Sequence, residues 1–193
     1  MIWRFLLRCC LLTALLLVPL STVCPPVPEK HFHVQDKTHP GVLNYEPQLR
    51  HWADSIGWDW RLIAAIVYHE SRFNYAARSG KGAVGLMQIN SPRYTEEALL
   101  NPSFNLSVGT AYLKKLSRMY EADSAQDSLK FALAAYNFGE RKIKRLKRSA
   151  LEKGLEPGSW DSVSQQLPAG HHTVAYVQQV LDRYASYRRL YPL

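Results

Sequence analysis

Residues 60–70 read WRLIAAIVYHE, a nearly continuous apolar segment that ends on a carboxylate. Asp59 precedes the segment and belongs to the residue types that favour a helix N-cap. The aliphatic residues recur at intervals of three and four, the spacing of a helix face: Leu62, Ile63, Ile66 and Val67. The pattern therefore predicts a helix over residues 60–70 that begins after Asp59 and ends on Glu70.

Glu70 closes this helix on its apolar side, since Ile66 and Val67 lie one turn before it. A carboxylate there loses hydration, so we expect its pKa to rise above the reference value of about 4.3. A carboxyl group that keeps its proton near neutral pH can act as a general acid. From spacing alone, the more ordinary alternative is a helix-end glutamate paired with a nearby arginine: Arg61, Arg72 or Arg78.

Helical spacing continues through the rest of the chain from residue 46 onward. The predicted helices cover residues 46–56, 95–100, 107–120, 129–135, 140–153 and 173–191. No segment alternates apolar and polar residues for long, so we expect no sheet of any size. The sequence therefore predicts one all-α domain over residues 46–193.

The N-terminal segment is interpreted as an export signal. Arg4 and Arg8 accompany an apolar run over residues 9–18, which is too short to span a membrane and is typical of a secretory signal peptide. A retained membrane anchor is the alternative. We predict a signal peptide over residues 1–23, a linker over residues 24–45, and an exported, periplasmic protein.

Cys24 is a candidate lipidation site. It follows the residues LSTV in an arrangement that resembles a bacterial lipoprotein cleavage site, although Val23 stands where a small residue is usual. The exported protein could therefore be attached to the membrane, either through a lipid on Cys24 or through the N-terminal segment. The three cysteines all lie at or before position 24, which excludes a disulfide framework or a thiolate zinc site in the domain. Because His31 and His33 lack a third ligand, no metal site is expected.

The formal net charge of +8 favours a polyanionic partner. Basic residues crowd the predicted helix over residues 140–153: Arg141, Lys142, Lys144, Arg145, Lys147 and Arg148. An acidic cell-wall polymer, nucleic acid, or no partner at all would each fit such a helix face. Export argues against nucleic acid, so we expect no nucleic-acid partner.

Four short motifs occur in order along the chain. They read ESRFN at residues 70–74, GAVGLMQIN at 82–90, AAYNFG at 134–139 and TVAYV at 173–177. This series resembles the lytic murein transglycosylases of the soluble-transglycosylase type, whose catalytic domain is goose-lysozyme-like. The resemblance covers about residues 45–190 and implies an all-α, lysozyme-like fold with a substrate groove.

The resemblance implies a role for each matching residue. Glu70 matches the catalytic acid and base of the family. The matching positions implied to bind substrate are Ser79, Met87, Gln88, Tyr136, Asn137 and Tyr176. Hydroxyl and amide groups suit the polar substituents of an amino sugar, and tyrosine rings suit its apolar face. His172 departs from the pattern, because it stands where the family usually has Glu.

The number of candidate carboxylates bears on the reaction. Ordinary glycosidases use two carboxyl groups, and the other acidic residues considered lie at caps, polar helix starts or turns: Asp59, Glu96, Glu97, Asp123 and Asp127. A reaction that needs one carboxylate fits better. The resemblance implies cleavage of the β-1,4 bond between N-acetylmuramic acid and N-acetylglucosamine in peptidoglycan strands, with a 1,6-anhydro product and no cofactor. Alternatives are a hydrolytic muramidase of the same fold and a non-catalytic wall-binding module; a monomer is expected.

Overall fold

The computed structural model describes residues 40–121 and 124–192, which form eight α-helices and no strand. Two isolated bridges, Arg78–Val84 and Val84–Ile89, are the extended pairings within these ranges. The helices are α1 Pro40–Ile56, α2 Trp60–Ser71, α3 Glu96–Leu99, α4 Pro102–Met119, α5 Ala125–Phe138, α6 Glu140–Glu152, α7 Trp160–Ser164 and α8 Thr173–Leu190. The predicted all-α architecture is confirmed for this part of the chain.

The predicted signal peptide, Cys24, most of the predicted linker and Asp123 lie outside the described residues. Within residues 40–121 and 124–192, every helix is too short or too polar to cross a membrane. Helix α1 begins at Pro40, so the part of the predicted linker from residue 40 onward was assigned wrongly. Its apolar residues Val42 and Tyr45 are buried, which explains why the helix extends this far toward the N-terminus.

Most other helix bounds agree closely with the sequence prediction, and the disagreements have local causes. Asp59 caps α2 as predicted, since its side chain accepts a hydrogen bond from the Arg61 backbone N–H at 2.9 Å. Helix α4 begins earlier than predicted because Asn101 caps it in the same way. The short α7 was missed, because five residues are too few to show helical periodicity.

Helix α2 is buried in the centre of the domain. It packs against α1 and α8, and α4 packs against α1 and α5. Every residue of α2 from Trp60 to Val67 is buried, and all of them except Arg61 are apolar. This burial holds the C-terminal end of α2 against its neighbours, so that Glu70 projects into the interior of the domain.

A partly buried ion pair between Arg61 and Asp59 fixes the last helix against α2. The Arg61 guanidinium contacts the Asp59 carboxylate at 2.5 Å and also donates to the Tyr191 carbonyl at 2.7 Å. The Tyr184 hydroxyl of α8 donates to Asp59 at 3.0 Å. Because an unpaired buried charge would be strongly unfavourable, these contacts hold α8 in one position relative to α2.

Candidate active site

Glu70 is a partly buried carboxyl group held by one short hydrogen bond. The Tyr176 hydroxyl donates to its Oε1 at 2.6 Å, which joins the end of α2 to α8. Burial raises the pKa of Glu70 to about 7, although the hydrogen bond from Tyr176 opposes part of the rise. The predicted rise is therefore confirmed, and at neutral pH a substantial fraction of this carboxyl group carries its proton.

The alternative that Glu70 pairs with an arginine is wrong for the described residues. Arg61 is engaged by Asp59, and Arg78 lies 2.6 Å from Glu96. The Arg72 guanidinium lies over the Tyr68 ring, 4.0 Å from its centroid. Each of the three candidate partners is thus held elsewhere, and none of them stabilises the ionised form of Glu70 by a direct contact.

The groups around Glu70 are polar but uncharged. Burial, followed by the charge of Glu70, raises the pKa of the Tyr136 and Tyr176 phenols well above 10. Burial, followed by the nearby Arg72 and Arg183, lowers the pKa of His69 to about 4. The imidazole next to Glu70 in sequence is therefore neutral at pH 7, and it adds no positive charge that would remove the carboxyl proton.

The loop after α2 is tied directly to the end of that helix. The Ser71 hydroxyl donates to the Leu86 carbonyl at 2.8 Å. The chain leaves the helix through two consecutive left-handed residues, Arg72 at φ 54° and Phe73 at φ 60°. Non-glycine residues adopt this region rarely and at an energetic cost, so the surrounding contacts must hold it in place. Strained backbone of this kind is concentrated at functional sites.

Asn105 of α4 holds the segment that contains Met87. Its Oδ1 accepts from the Met87 N–H at 2.7 Å, and its Nδ2 donates to the Val84 and Leu99 carbonyls at 2.8 and 2.9 Å. Asn105 is fully buried, and a side chain on Gly85 would collide with its amide. Sequence reasoning missed this residue, because a single asparagine inside a helix gives no signal of what its amide contacts.

Gln88 and Tyr136 line a groove of about 780 Å³ between the loop and helices α4, α5 and α6. The Tyr136 hydroxyl donates to the Met87 carbonyl at 2.7 Å, which fixes one wall. Gln88 has a φ of 49°, and its Nε2 donates to the Gly85 carbonyl at 3.0 Å. Since Tyr136 also feels the charge of Glu70, it belongs both to the groove and to the surroundings of the carboxyl group.

A second carboxylate, Glu140, lines the groove and was not considered from the sequence. Lys115 donates to it at 2.7 Å, and this hydrogen bond is the main cause that lowers the pKa of Glu140. Glu140 is therefore ionised and already paired. Its environment is the opposite of that of Glu70, so the two groups cannot exchange roles near neutral pH.

The remaining residues singled out from the sequence differ in their exposure and in their hydrogen-bond partners. Asn137 accepts a hydrogen bond from the Thr173 hydroxyl at 2.8 Å, which leaves its amide nitrogen as the donor. Ser79 is exposed, and its oxygen accepts from the Ala83 N–H at 2.9 Å within a turn. His172 is exposed and stacks on His171 with ring centroids 4.7 Å apart.

The side chain of Met87, a position that the resemblance implies to bind substrate, does not line the groove. The side chain is fully buried and packs so closely on Gly109 of α4 that a Cβ there would overlap it. It therefore supports the loop from inside the core. The Met87 backbone carbonyl accepts the hydrogen bond from Tyr136, which does line the groove.

The amino-acid sequence matches the family model described as the transglycosylase SLT domain over residues 48–156. A membrane-bound lytic murein transglycosylase F from Desulfosudis oleivorans is 31% identical over 177 residues, covering 80% of this chain and 38% of the relative. A protein of the same name from Vibrio cholerae is 34% identical over 118 residues, covering 59% of this chain and 22% of the relative. The chain thus spans well under half the length of these relatives.

Two solved structures are similar to the structure described above. One is an inactive Glu-to-Gln mutant of the lytic transglycosylase Slt from Pseudomonas aeruginosa, with a TM-score of 0.62, 26% identity, and coverage of 76% of this chain and 24% of that one. The other is the 70 kDa soluble lytic transglycosylase from Escherichia coli, with a TM-score of 0.62, 25% identity, and coverage of 77% and 24%. These likenesses confirm the predicted lysozyme-like helical fold class.

Replacing Asn105 by leucine should destabilise the domain strongly. The change keeps the volume similar but leaves the Met87 N–H and the Leu99 carbonyl buried without partners, while the Val84 carbonyl keeps only its bond from the Ile89 N–H. We expect a loss of about 4 kcal/mol, since each unsatisfied buried group costs about 1–3 kcal/mol. Chemical denaturation measures the loss. The control N101A removes only an exposed cap and should cost about 1 kcal/mol; an N105L protein as stable as N101A would contradict the assignment.

Replacing Glu70 by glutamine should stabilise the domain in a pH-dependent way. A pKa raised from 4.5 to about 7 means that the folded state binds the proton more tightly, so wild-type stability falls as pH rises through this range. We expect E70Q to gain up to about 3 kcal/mol over wild type at pH 8 and little at pH 4. Denaturation at both pH values measures the difference. The exposed control E97Q should show no such dependence, and an E70Q gain that is equal at both pH values would refute the interpretation.

Proposed function

This chain belongs to the transglycosylase SLT domain family, and on that premise we propose that it is a lytic transglycosylase of peptidoglycan. The observation that carries the proposal is the partly buried, protonated Glu70, bound by Tyr176 and free of any ion pair in the described part of the chain. Relatives named lytic murein transglycosylases support the substrate class. The bond cleaved is the β-1,4 bond between N-acetylmuramic acid and N-acetylglucosamine.

In the first step Glu70 acts as a general acid. Its proton passes to the glycosidic oxygen while the bond from that oxygen to C1 of the muramic sugar breaks. The positive charge that develops at C1 faces a carboxylate that has just ionised and a neutral phenol at Tyr176. Because burial withdraws Glu70 from solvent, this electrostatic stabilisation is stronger than it would be in water.

In the second step Glu70 acts as a general base. It removes the proton from the 6-hydroxyl of the same sugar, and O6 forms the new bond to C1, which closes a 1,6-anhydro ring. Glu70 regains its proton, and no water is consumed. Since the nucleophile is already part of the substrate, its capture carries a large entropic advantage over capture of water. One carboxyl group suffices, in agreement with the pairing of Glu140 by Lys115.

The polar residues of the site supply sugar contacts in this proposal. The Asn137 amide nitrogen and the Ser79 hydroxyl donate to acetamido or hydroxyl oxygens, and Gln88 of the groove lining supplies a further amide. Tyr136 and Tyr176 provide ring surface, and their neutral hydroxyls position the loop and the acid. Met87 acts as a packing residue. All these groups come from one chain, which is consistent with a monomer.

The reaction products test the proposal directly. Purified peptidoglycan is digested, and the fragments are analysed by mass spectrometry. Wild type should release fragments with 1,6-anhydromuramic ends, and E70Q should be slower by about 10²–10⁴-fold because it lacks the general acid. The control E97Q should retain wild-type activity. Fragments that are one water heavier and end in reducing sugars would overturn the proposal in favour of a hydrolytic muramidase. Binding without cleavage by wild type would instead indicate a wall-binding module.

Activity should also fall as pH rises. Glu70 must be protonated to act in the first step, so kcat/KM is expected to decline above about pH 7, following the raised pKa. Measuring initial rates between pH 5 and 9 on soluble strands checks this expectation. A rate that keeps rising to pH 9 would contradict a protonated Glu70 in the active form.

We further propose that the protein is exported to the periplasm and attached to the membrane through Cys24. The apolar N-terminal run and the cleavage-like residues before Cys24 support export, and two relatives are named membrane-bound. Mass analysis of the mature N-terminus should show a diacylglyceryl-modified Cys24 and the loss of residues 1–23. The variant C24S should be released from the membrane fraction. An unmodified N-terminus that still begins at Met1 would refute this part of the proposal.

A further inference from the structure

The walls of the groove carry a marked excess of positive charge. Four cationic side chains and one carboxylate line the groove, and that carboxylate, Glu140, forms an ion pair with Lys115. The Lys142 ammonium lies 4.4 Å from the centroid of the Phe138 ring. Arg93 and Arg141 remain as exposed cations on the rim. A neutral amino-sugar chain has no group that requires them.

The positive charge continues from the groove along α6. Four exposed residues lie at intervals of three and four on the face opposite the buried Ile143 and Ala150, and we call them the cationic stripe: Arg141, Lys144, Arg145 and Arg148. None takes part in an ion pair within the described ranges. The stripe spans about 10 Å of helix, because each residue advances an α-helix by about 1.5 Å.

This arrangement destabilises the isolated helix, since like charges three and four residues apart repel one another. The carboxylates on α6 relieve only part of the repulsion. The charge of Glu140 interacts with Arg141 and Lys144, but its hydrogen bond comes from Lys115, and the exposed Glu152 forms no ion pair within the described ranges. An external anion that lies along the stripe would remove the repulsion and gain several charge pairs at once.

We propose that the cationic stripe binds the carboxylates of the peptide stems carried by a glycan strand seated in the groove. This inference rests on the proposed function. Arg141 belongs to both the groove lining and the stripe, so a stem that branches from a sugar in the groove meets the stripe where it begins. Peptide stems carry more carboxylates than amino groups and extend away from the sugar, whereas a strand without stems keeps only the lactyl carboxylate attached directly to each muramic ring. The enzyme therefore prefers strands that retain their stems.

The test compares two substrates of equal strand length: soluble strands with intact stems, and the same strands after an amidase has removed the stems. The stripe variant K144Q/R145Q/R148Q removes three charges outside the groove lining, leaves Arg141 of the groove unchanged and keeps residues that favour helix. The control R118Q/K153Q/R189Q removes the same number of charges from other exposed positions outside the groove lining. KM and kcat are measured for all three proteins on both substrates.

We expect the stripe variant to raise KM on stem-bearing strands by about tenfold, with kcat within about twofold of wild type, because exposed charge pairs are individually weak but act together. On stripped strands its KM should stay within about twofold of wild type, and the control should match wild type on both. The tenfold difference should shrink at high salt. An equal KM change on both substrates, or none on either, overturns the inference while leaving the proposed function intact.

Two further measurements keep the outcomes distinct. If wild type forms no anhydro product from either substrate, the proposed function fails; binding of fluorescent stem-bearing and stripped strands by E70Q then decides the stem preference on its own. Vesicles of phosphatidylglycerol and of phosphatidylcholine test a membrane surface as the rival anion. If the stripe variant loses binding to the anionic vesicles and keeps its affinity for stem-bearing strands, the stripe is a membrane contact and the inference is wrong.

Discussion

The hydrogen bond between the Tyr176 hydroxyl and Glu70 connects the central helix to the last one. It stabilises the ionised carboxylate, but burial opposes it more strongly, and the balance leaves the pKa near 7. A stronger donor or a nearby cation would favour loss of the proton, whereas deeper burial would keep the group protonated when the second step of the proposed reaction requires a base. The position of α8 relative to α2 therefore helps to set the pKa of Glu70 as well as the packing of the core.

The rest of the site keeps formal charge away from that carboxyl group. Arg61 is bound by Asp59, Arg78 by Glu96 and Lys115 by Glu140, all at hydrogen-bonding distance. His69 is neutral because it is buried near Arg72 and Arg183. Positive charge is concentrated instead on the rim and on α6, where solvent screens it from Glu70. The same chain thus holds a neutral acid and an attractive surface for anions without conflict.

The sequence predicted the parts of this structure that depend on local pattern. The helical architecture, the Asp59 cap and the rise in the pKa of Glu70 follow from spacing and from neighbours one turn away. Contacts between segments that are distant in the chain could not be predicted from the sequence pattern. Nothing in the pattern shows that Asn105 holds the Met87 backbone, that the Met87 side chain is core, or that Glu140 meets Lys115. Such facts depend on how helices cross, which periodicity does not specify.

The two groups joined at the centre of the site are 106 residues apart in the chain. Until α8 has packed against α2, the carboxyl at position 70 is hydrated, has its ordinary acidity and is ionised at neutral pH. A chain that has not finished folding, or one cut before its final helix, consequently has no proton to donate from position 70 at neutral pH. The general acid on which the proposed function depends would then exist only once the last helix is in place.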